Sequence, residues 1–236
     1  MSKNRVEAFS DGVFAVAITI LVFNLQVPSG LAHGALWSTL GALWPSYATY
    51  IASFLTIGVM WMNHHGVFRR LRAVDRNLQL LNLLLLLTVV FVPFPTALLG
   101  RFIPAGGDDA AAAATLYALT SIGIGASFSS IWIYALYRPE LLAPGLDPDL
   151  VRRRLPLFSA GPVVYLACLV VAHYSPILVA VLCGMVAVYY FWDWLPEARP
   201  AYALPEARPS HPSERVGGGE AGGVEGRVEP GHGADE

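Results

Sequence analysis

RVEAFSDGVFAVAITILV, Arg5–Val22, is an apolar run whose polar interruptions are confined to its opening turns and to Thr19. Extended to Gln26, the stretch 7–26 reaches the length of about 20 mainly apolar residues that a helix needs to cross a bilayer core. Five more stretches of this kind follow, at 44–66, 77–99, 111–137, 156–173 and 176–195. The expected fold is therefore all-α, a six-transmembrane-helix membrane protein.

Composition agrees with that reading. Of 236 residues, 55% are hydrophobic and 14% charged, where a soluble domain carries roughly 25% charged residues. The apolar runs lie within 1–195, the expected six-helix transmembrane domain. Residues 196–236 are rich in Pro, Gly, Glu, Arg, Ala, Ser and His and echo themselves, LPEARP starting at both Leu195 and Leu204. Such a segment cannot bury enough apolar surface to offset chain entropy, so a disordered cytoplasmic tail is expected there. A net charge of -2 offers no nucleic-acid footprint. Cys168 and Cys183 stand singly in apolar runs, the pattern of buried thiols rather than of a metal knuckle. Lys3 and Arg5 before an apolar run resemble the start of a signal peptide, but Ser10, Asp11 and Asn24 break the run, so a retained first helix is expected.

Basic residues accumulate on the cytoplasmic side of a membrane. With alternating spans, Lys3, Arg5, Arg69, Arg70, Arg72, Arg76, Arg138 and Arg152 to Arg154 share one side, and Arg101 lies on the other. Both termini are therefore expected in the cytoplasm, with the protein in the cell membrane.

Asp11 is the residue that demands a partner, since an ionisable group at the centre of a spanning helix costs about 2.5–3.5 kcal/mol on insertion scales, and less near an end. At 100° per residue it points away from the stripe Gly12, Val16, Thr19, Ile20, Phe23. Arg5, Trp61, Asn63, His64, His65 and Asn82 are its candidate partners. Asp11 serves either a hydrogen-bonded cluster that fixes how three helices pack, or a proton relay or ion site. Adjacent His64 and His65 diverge by about 100° on a helix and make a poor metal chelate, so neither metal nor cofactor is expected. A Ser10–Asp11–His64 triad has no support in spacing, and no enzymatic activity is expected. Gly123, Gly125, Ser127, Ser129 and Ser130 read as a small-residue packing face, and Pro93 and Pro95 as the end of the third helix.

Arg5 followed by Phe9-Ser10-Asp11-Gly12 and the run to Val22 resembles the signature helix of the lysosomal and prokaryotic potassium channels of the transmembrane protein 175 family. Trp61-Met-Asn-His64-His65, Asn77 to Leu86 and Val92-Pro93-Phe94-Pro95-Thr96 are similar to that family's second and third helices. The resemblance covers about the first hundred residues. It implies a potassium-preferring cation channel in which the first helix lines a central pore and no reentrant filter loop is used. It implies a hydrophobic constriction at Val16, continued by Ile20 and Phe23, with Thr19 linked to selectivity. It further implies a packing network of Arg5, Phe9, Ser10, Asp11, Trp61, His64 and Asn82. A single six-helix repeat supplies one pore helix, so the implied assembly is a homotetramer in lipid that conducts potassium ions. The rival readings are a proton-coupled secondary transporter using Asp11 and a non-transporting structural or regulatory membrane protein; the paired repeats common in transporters are not evident.

Overall fold

The structure, a computed structural model, describes residues 2–26, 28–158 and 160–192. The chain divides into two units, Met1–Ala201 and Tyr202–Glu236, and the second lies outside the described residues, as does the tail expected over 196–236. The described residues form nine α-helices: α1 Lys3–Ile20, α2 Leu36–Ala42, α3 Trp44–Arg69, α4 Arg76–Phe91, α5 Pro93–Phe102, α6 Gly107–Tyr137, α7 Pro148–Phe158, α8 Ala160–Val171 and α9 Pro176–Tyr189.

Grouped into spans, these helices correspond to the six apolar stretches. Residues 3–24, 76–105, 107–137 and 148–171 each form a helical stretch long and apolar enough to cross a membrane, and α9 is a shorter apolar helix. The remaining span, α3, has 26 residues, about 39 Å at 1.5 Å per residue. It is more polar because its inward stripe is polar: Thr49, Ser53, Thr56 and His64 are all buried.

Pro93 and Pro95 do not end the third span. The helix restarts at Pro93 and runs to Phe102, because proline at the first turn of a helix lacks only an N–H that would be unpaired anyway. The joint is secured from outside: Asn24 Nδ2 donates to the Pro93 carbonyl at 2.9 Å. Two more differences concern connections. The segment between the first two spans folds partly into α2, and the Arg138–Arg154 connection carries α7 from Pro148 onward.

Local signals account for the helix starts. Asp75 caps α4 by accepting from Leu78 N at 2.8 Å, and Ser175 caps α9 through Leu178 N. Gly106, at φ 66, makes the turn into α6 in a conformation that favours glycine. Asp108 and Asp109 then place negative charge in the first turn of α6, against the positive end of its dipole.

Helix α6 is the shared wall of two apolar cores. Phe14, Ile57, Leu85 and Trp132 centre the core of α1, α3, α4 and α6. Leu99, Ala114, Cys168 and Val179 centre that of α5, α6, α8 and α9. Both cysteines are free and buried, as their context suggests. The small-residue face of α6 is used: a Cβ at Gly125 would come within 2.7 Å of Pro162, and one at Gly123 within 3.3 Å of Thr88.

Candidate functional site

The first helix has two unlike faces. Val6, Ser10, Phe14, Ala17 and Leu21 are buried, at spacings of three and four residues that define one helical stripe. On the other side Val16 is 53% exposed, Ile20 40% and Phe23 78%. Gly12 and Thr19 belong to this bare face. Thr19 Oγ1 donates to the Val16 carbonyl at 2.9 Å. Its proton is thereby committed to the helix, while the oxygen keeps lone pairs that can face a cation.

A directed chain of hydrogen bonds anchors the buried face. Ser10 Oγ donates to the Val6 carbonyl at 2.9 Å and accepts from Asn82 Nδ2 at 2.9 Å. Asn82 Oδ1 is 2.9 Å from His64 Nε2, so that nitrogen carries the proton. The His64 ring stacks on Phe68 at 4.3 Å between centroids and tilts against Phe14 at 5.3 Å. His64 Nδ1 is buried without a hydrogen-bond partner. Three helices, α1, α3 and α4, are thus joined at one buried polar point.

Beside this chain runs a ladder between α1 and antiparallel α3. Lys3 Nζ donates to the carbonyls of Phe68 and Leu71, each at 2.9 Å, in the turn that ends α3, where the Phe68 carbonyl also accepts from Leu71 N. Four residues on, Glu7 Oε1 meets His65 Nδ1 at 2.9 Å. Four further, Asp11 Oδ1 accepts from Trp61 Nε1 at 2.9 Å. Of the residues expected in a packing network, Ser10, His64 and Asn82 form the buried chain and Asp11 and Trp61 the last rung. Arg5 and Phe9 are exposed and belong to neither. Lys3, Glu7 and His65 were not anticipated in these roles. The four-residue spacing of Lys3, Glu7 and Asp11 was their signal.

A second buried cluster also went unforeseen. Ser53 Oγ lies 2.8 Å from Thr96 Oγ1 and 3.4 Å from the Tyr117 hydroxyl, and Thr96 in turn donates to the Val92 carbonyl at 2.8 Å. This ties α3 to α5 and α6 where Pro93 and Pro95 interrupt the third span.

Apolar spans packed through a few internal polar joints, with large apolar side chains bare on the outside, define a multi-pass α-helical membrane protein. The family model described as endosomal/lysosomal potassium channel TMEM175 matches residues 5–93. A potassium channel of Streptomyces collinus is 41% identical over 82% of this chain and 94% of its own length. One from Chamaesiphon minutus is 39% identical over 79% of this chain and 92% of its own. The chain belongs to the TMEM175 family. The crystal structure of a lysosomal potassium-selective channel TMEM175 homolog from Chamaesiphon minutus matches with a TM-score of 0.68 at 36% identity, over 80% of this chain and 95% of that one.

Proposed function

We propose that the chain is the subunit of a potassium-preferring cation channel, a homotetramer in the cell membrane with both termini in the cytoplasm, whose pore is lined by α1. The observation that carries this reading is the bare apolar face of α1, Val16, Ile20 and Phe23, on a helix pinned along its other side by Ser10, Phe14, Ala17 and Leu21. Around a symmetry axis, copies of that face stack as apolar rings, at Val16 the constriction and at Ile20 and Phe23 beyond it. Narrow apolar rings close a pore by dewetting, and an ion passing them sheds part of its hydration shell. Potassium surrenders water more cheaply than sodium, which favours potassium without a carbonyl filter. The Thr19 oxygen replaces part of the lost shell. Arg69, Arg72 and Arg76 share one end of the bundle with the α6–α7 connection, since Leu71 and Leu142 pair in an antiparallel bridge, and this supports the cytoplasmic assignment of that end.

The test is flux from potassium-loaded liposomes carrying the purified protein. Efflux set by the potassium gradient and voltage alone is expected. Efflux that needs an opposing proton gradient overturns the reading in favour of a coupled transporter, and absence of flux overturns it in favour of a non-transporting role. Native mass spectrometry tests the assembly, and a stable monomer removes the shared pore.

A further inference from the structure

Helix α7 has an outward face with an unusual mixture of side chains. Val151 and Leu155 turn inward, Val151 into the core and Leu155 against it. Leu150, Arg153, Arg154 and Leu157, three, four and seven residues apart, share a face that runs from the side opposite the core round to its flank, and all are exposed. Each leucine is therefore one turn from each arginine. The acids of this helix are engaged at its start: Asp147 Oδ1 accepts from Asp149 N, and Asp149 lies 4.0 Å from Arg152. Arg153 and Arg154 have no side-chain partner among the described residues.

Depth gives this face a meaning. Residues 148–171 form one helical stretch apolar enough to cross a membrane, and Arg153 and Arg154 stand two to three residues before Pro156, where its unbroken apolar part begins. At 1.5 Å per residue they are within about 5 Å of the hydrocarbon edge, the level of lipid phosphates. Charge complementarity, with unpaired cations flanked by exposed leucines at headgroup depth, selects an anionic amphiphile rather than a soluble anion. Arg69, Arg72 and Arg76 are also exposed and belong to the same end of the bundle through the backbone pairing of Arg70 and Arg72 with Ala143 and Leu141.

We propose that the outward face of α7 binds an anionic phospholipid, its phosphate held by Arg153 and Arg154 and its acyl chains laid against Leu150 and Leu157. Guanidinium groups suit this task because they present paired N–H donors to phosphate oxygens.

The test is lipid retention by the full-length protein, purified from mixed phosphatidylglycerol and phosphatidylcholine and read by native mass spectrometry. Preferential retention of phosphatidylglycerol is expected, falling roughly tenfold when both charges are removed in R153Q/R154Q. R101Q, at the other end, should leave it unchanged. Equal retention of the two lipids, or no change in R153Q/R154Q, overturns the proposal. If the double variant does not fold, a benzophenone attached at Leu150→Cys decides alone: crosslinking to lipid supports the assignment. Crosslinking to a second copy or to residues 202–236 overturns it. None of these readouts depends on ion flux, so the result stands apart from the channel reading.

Discussion

The indole N–H of Trp61 donates to Asp11 Oδ1 at 2.9 Å, one helical turn from the Glu7–His65 contact. The acid meets α3 on the side of α1 away from its bare face, a placement that predicts a part in helix packing rather than in the ion path. Asp11→Ala and Trp61→Phe each remove this exposed hydrogen bond, at about 0.5–1.5 kcal/mol. Both variants are expected to lower the thermal unfolding temperature or oligomer yield in mild detergent, while the potassium-to-sodium permeability ratio stays near that of the parent. Normal stability with an altered ratio would move Asp11 into the ion path.

Asn82 is the central member of the buried chain, bonded to both Ser10 and His64. Asn82→Leu leaves the buried His64 Nε2 donor without a partner, at about 1–3 kcal/mol, and takes one of its two hydrogen bonds from Ser10 Oγ, which still donates to Val6. Ser10→Ala removes one bond from Asn82 and leaves its bond to His64 in place. Chemical or thermal unfolding should therefore rank Asn82→Leu as the more damaging change. The opposite ranking would show that the chain is not the joint between α1, α3 and α4.

Conduction should respond to the bare face of α1 and not to exposed apolar residues elsewhere. In voltage-clamped bilayers, Val16→Ala and Phe23→Ala are expected to raise sodium leak and open probability by widening apolar rings. Leu87→Ala, at an exposed position on α4, serves as the comparison and should change neither. Equal effects at Val16 and Leu87 would remove α1 from the pore. Thr19→Val, which deletes the outward oxygen, should reduce discrimination between potassium and sodium without abolishing current.

Asp75 sets a pH dependence at the arginine-rich end. Burial acts to raise its pKa, but the Tyr134 hydroxyl, the Leu78 N–H and Arg138 outweigh it and hold the carboxyl below its ordinary 3.8. A carboxyl with a depressed folded pKa contributes stability that is present above its unfolded value and lost as pH falls through the folded one. The unfolding temperature should thus drop on acidification below about pH 4, and Asp75→Asn, which keeps a capping oxygen, should flatten that part of the profile. Asp75→Ala at neutral pH should cost about 0.5–2 kcal/mol, the ordinary worth of an N-cap.

Gly100 and Gly58 make a matched pair for the packing of α3 and α5. A Cβ at Gly100 would lie 2.9 Å from Thr49 Oγ1 and 3.2 Å from the Ser46 Cα, whereas one at Gly58 meets nothing within 4 Å. Gly100→Ala should therefore destabilise by about 1–3 kcal/mol through overpacking. Gly58→Ala should be neutral or stabilise by up to about 1 kcal/mol, since alanine is the better helix former. Unfolding in detergent distinguishes them, and equal behaviour would contradict the close approach of α3 and α5.

Much of this arrangement was legible along the chain. The apolar stretches correspond to helices because hydrocarbon requires every backbone group to be paired within its own helix. The resemblance carried by the motif around Asp11 implied a network with Trp61, His64 and Asn82; in the structure Trp61 bonds Asp11, while His64 and Asn82 are linked to Ser10. Pro93 and Pro95 were misread as a terminus because a proline reports only its own missing N–H. Whether the helix resumes depends on tertiary contacts at the break, here the Asn24 side chain on the Pro93 carbonyl, 69 residues away in sequence. Arg5 and Phe9 illustrate the converse, since proximity to Asp11 along the chain did not bring them into its hydrogen-bonded set.

What the sequence by itself determined is therefore the number and position of the spans, because a run of apolar residues is a property of consecutive positions; which face of α1 is buried and which is bare came from the packing of its neighbours. Only the tertiary structure decided which polar atoms meet: the His64–Asn82–Ser10 chain, the rungs at Lys3, Glu7 and Asp11, and the Ser53–Thr96–Tyr117 joint. Each is a pairing between helices, and its 2.8–3.4 Å geometry depends on how far each helix is shifted and rotated against its neighbours. Inside a membrane that offset is set by close packing of side chains such as Gly100 on Ser46 and Gly125 on Pro162, because lipid supplies no hydrophobic force to drive helices together.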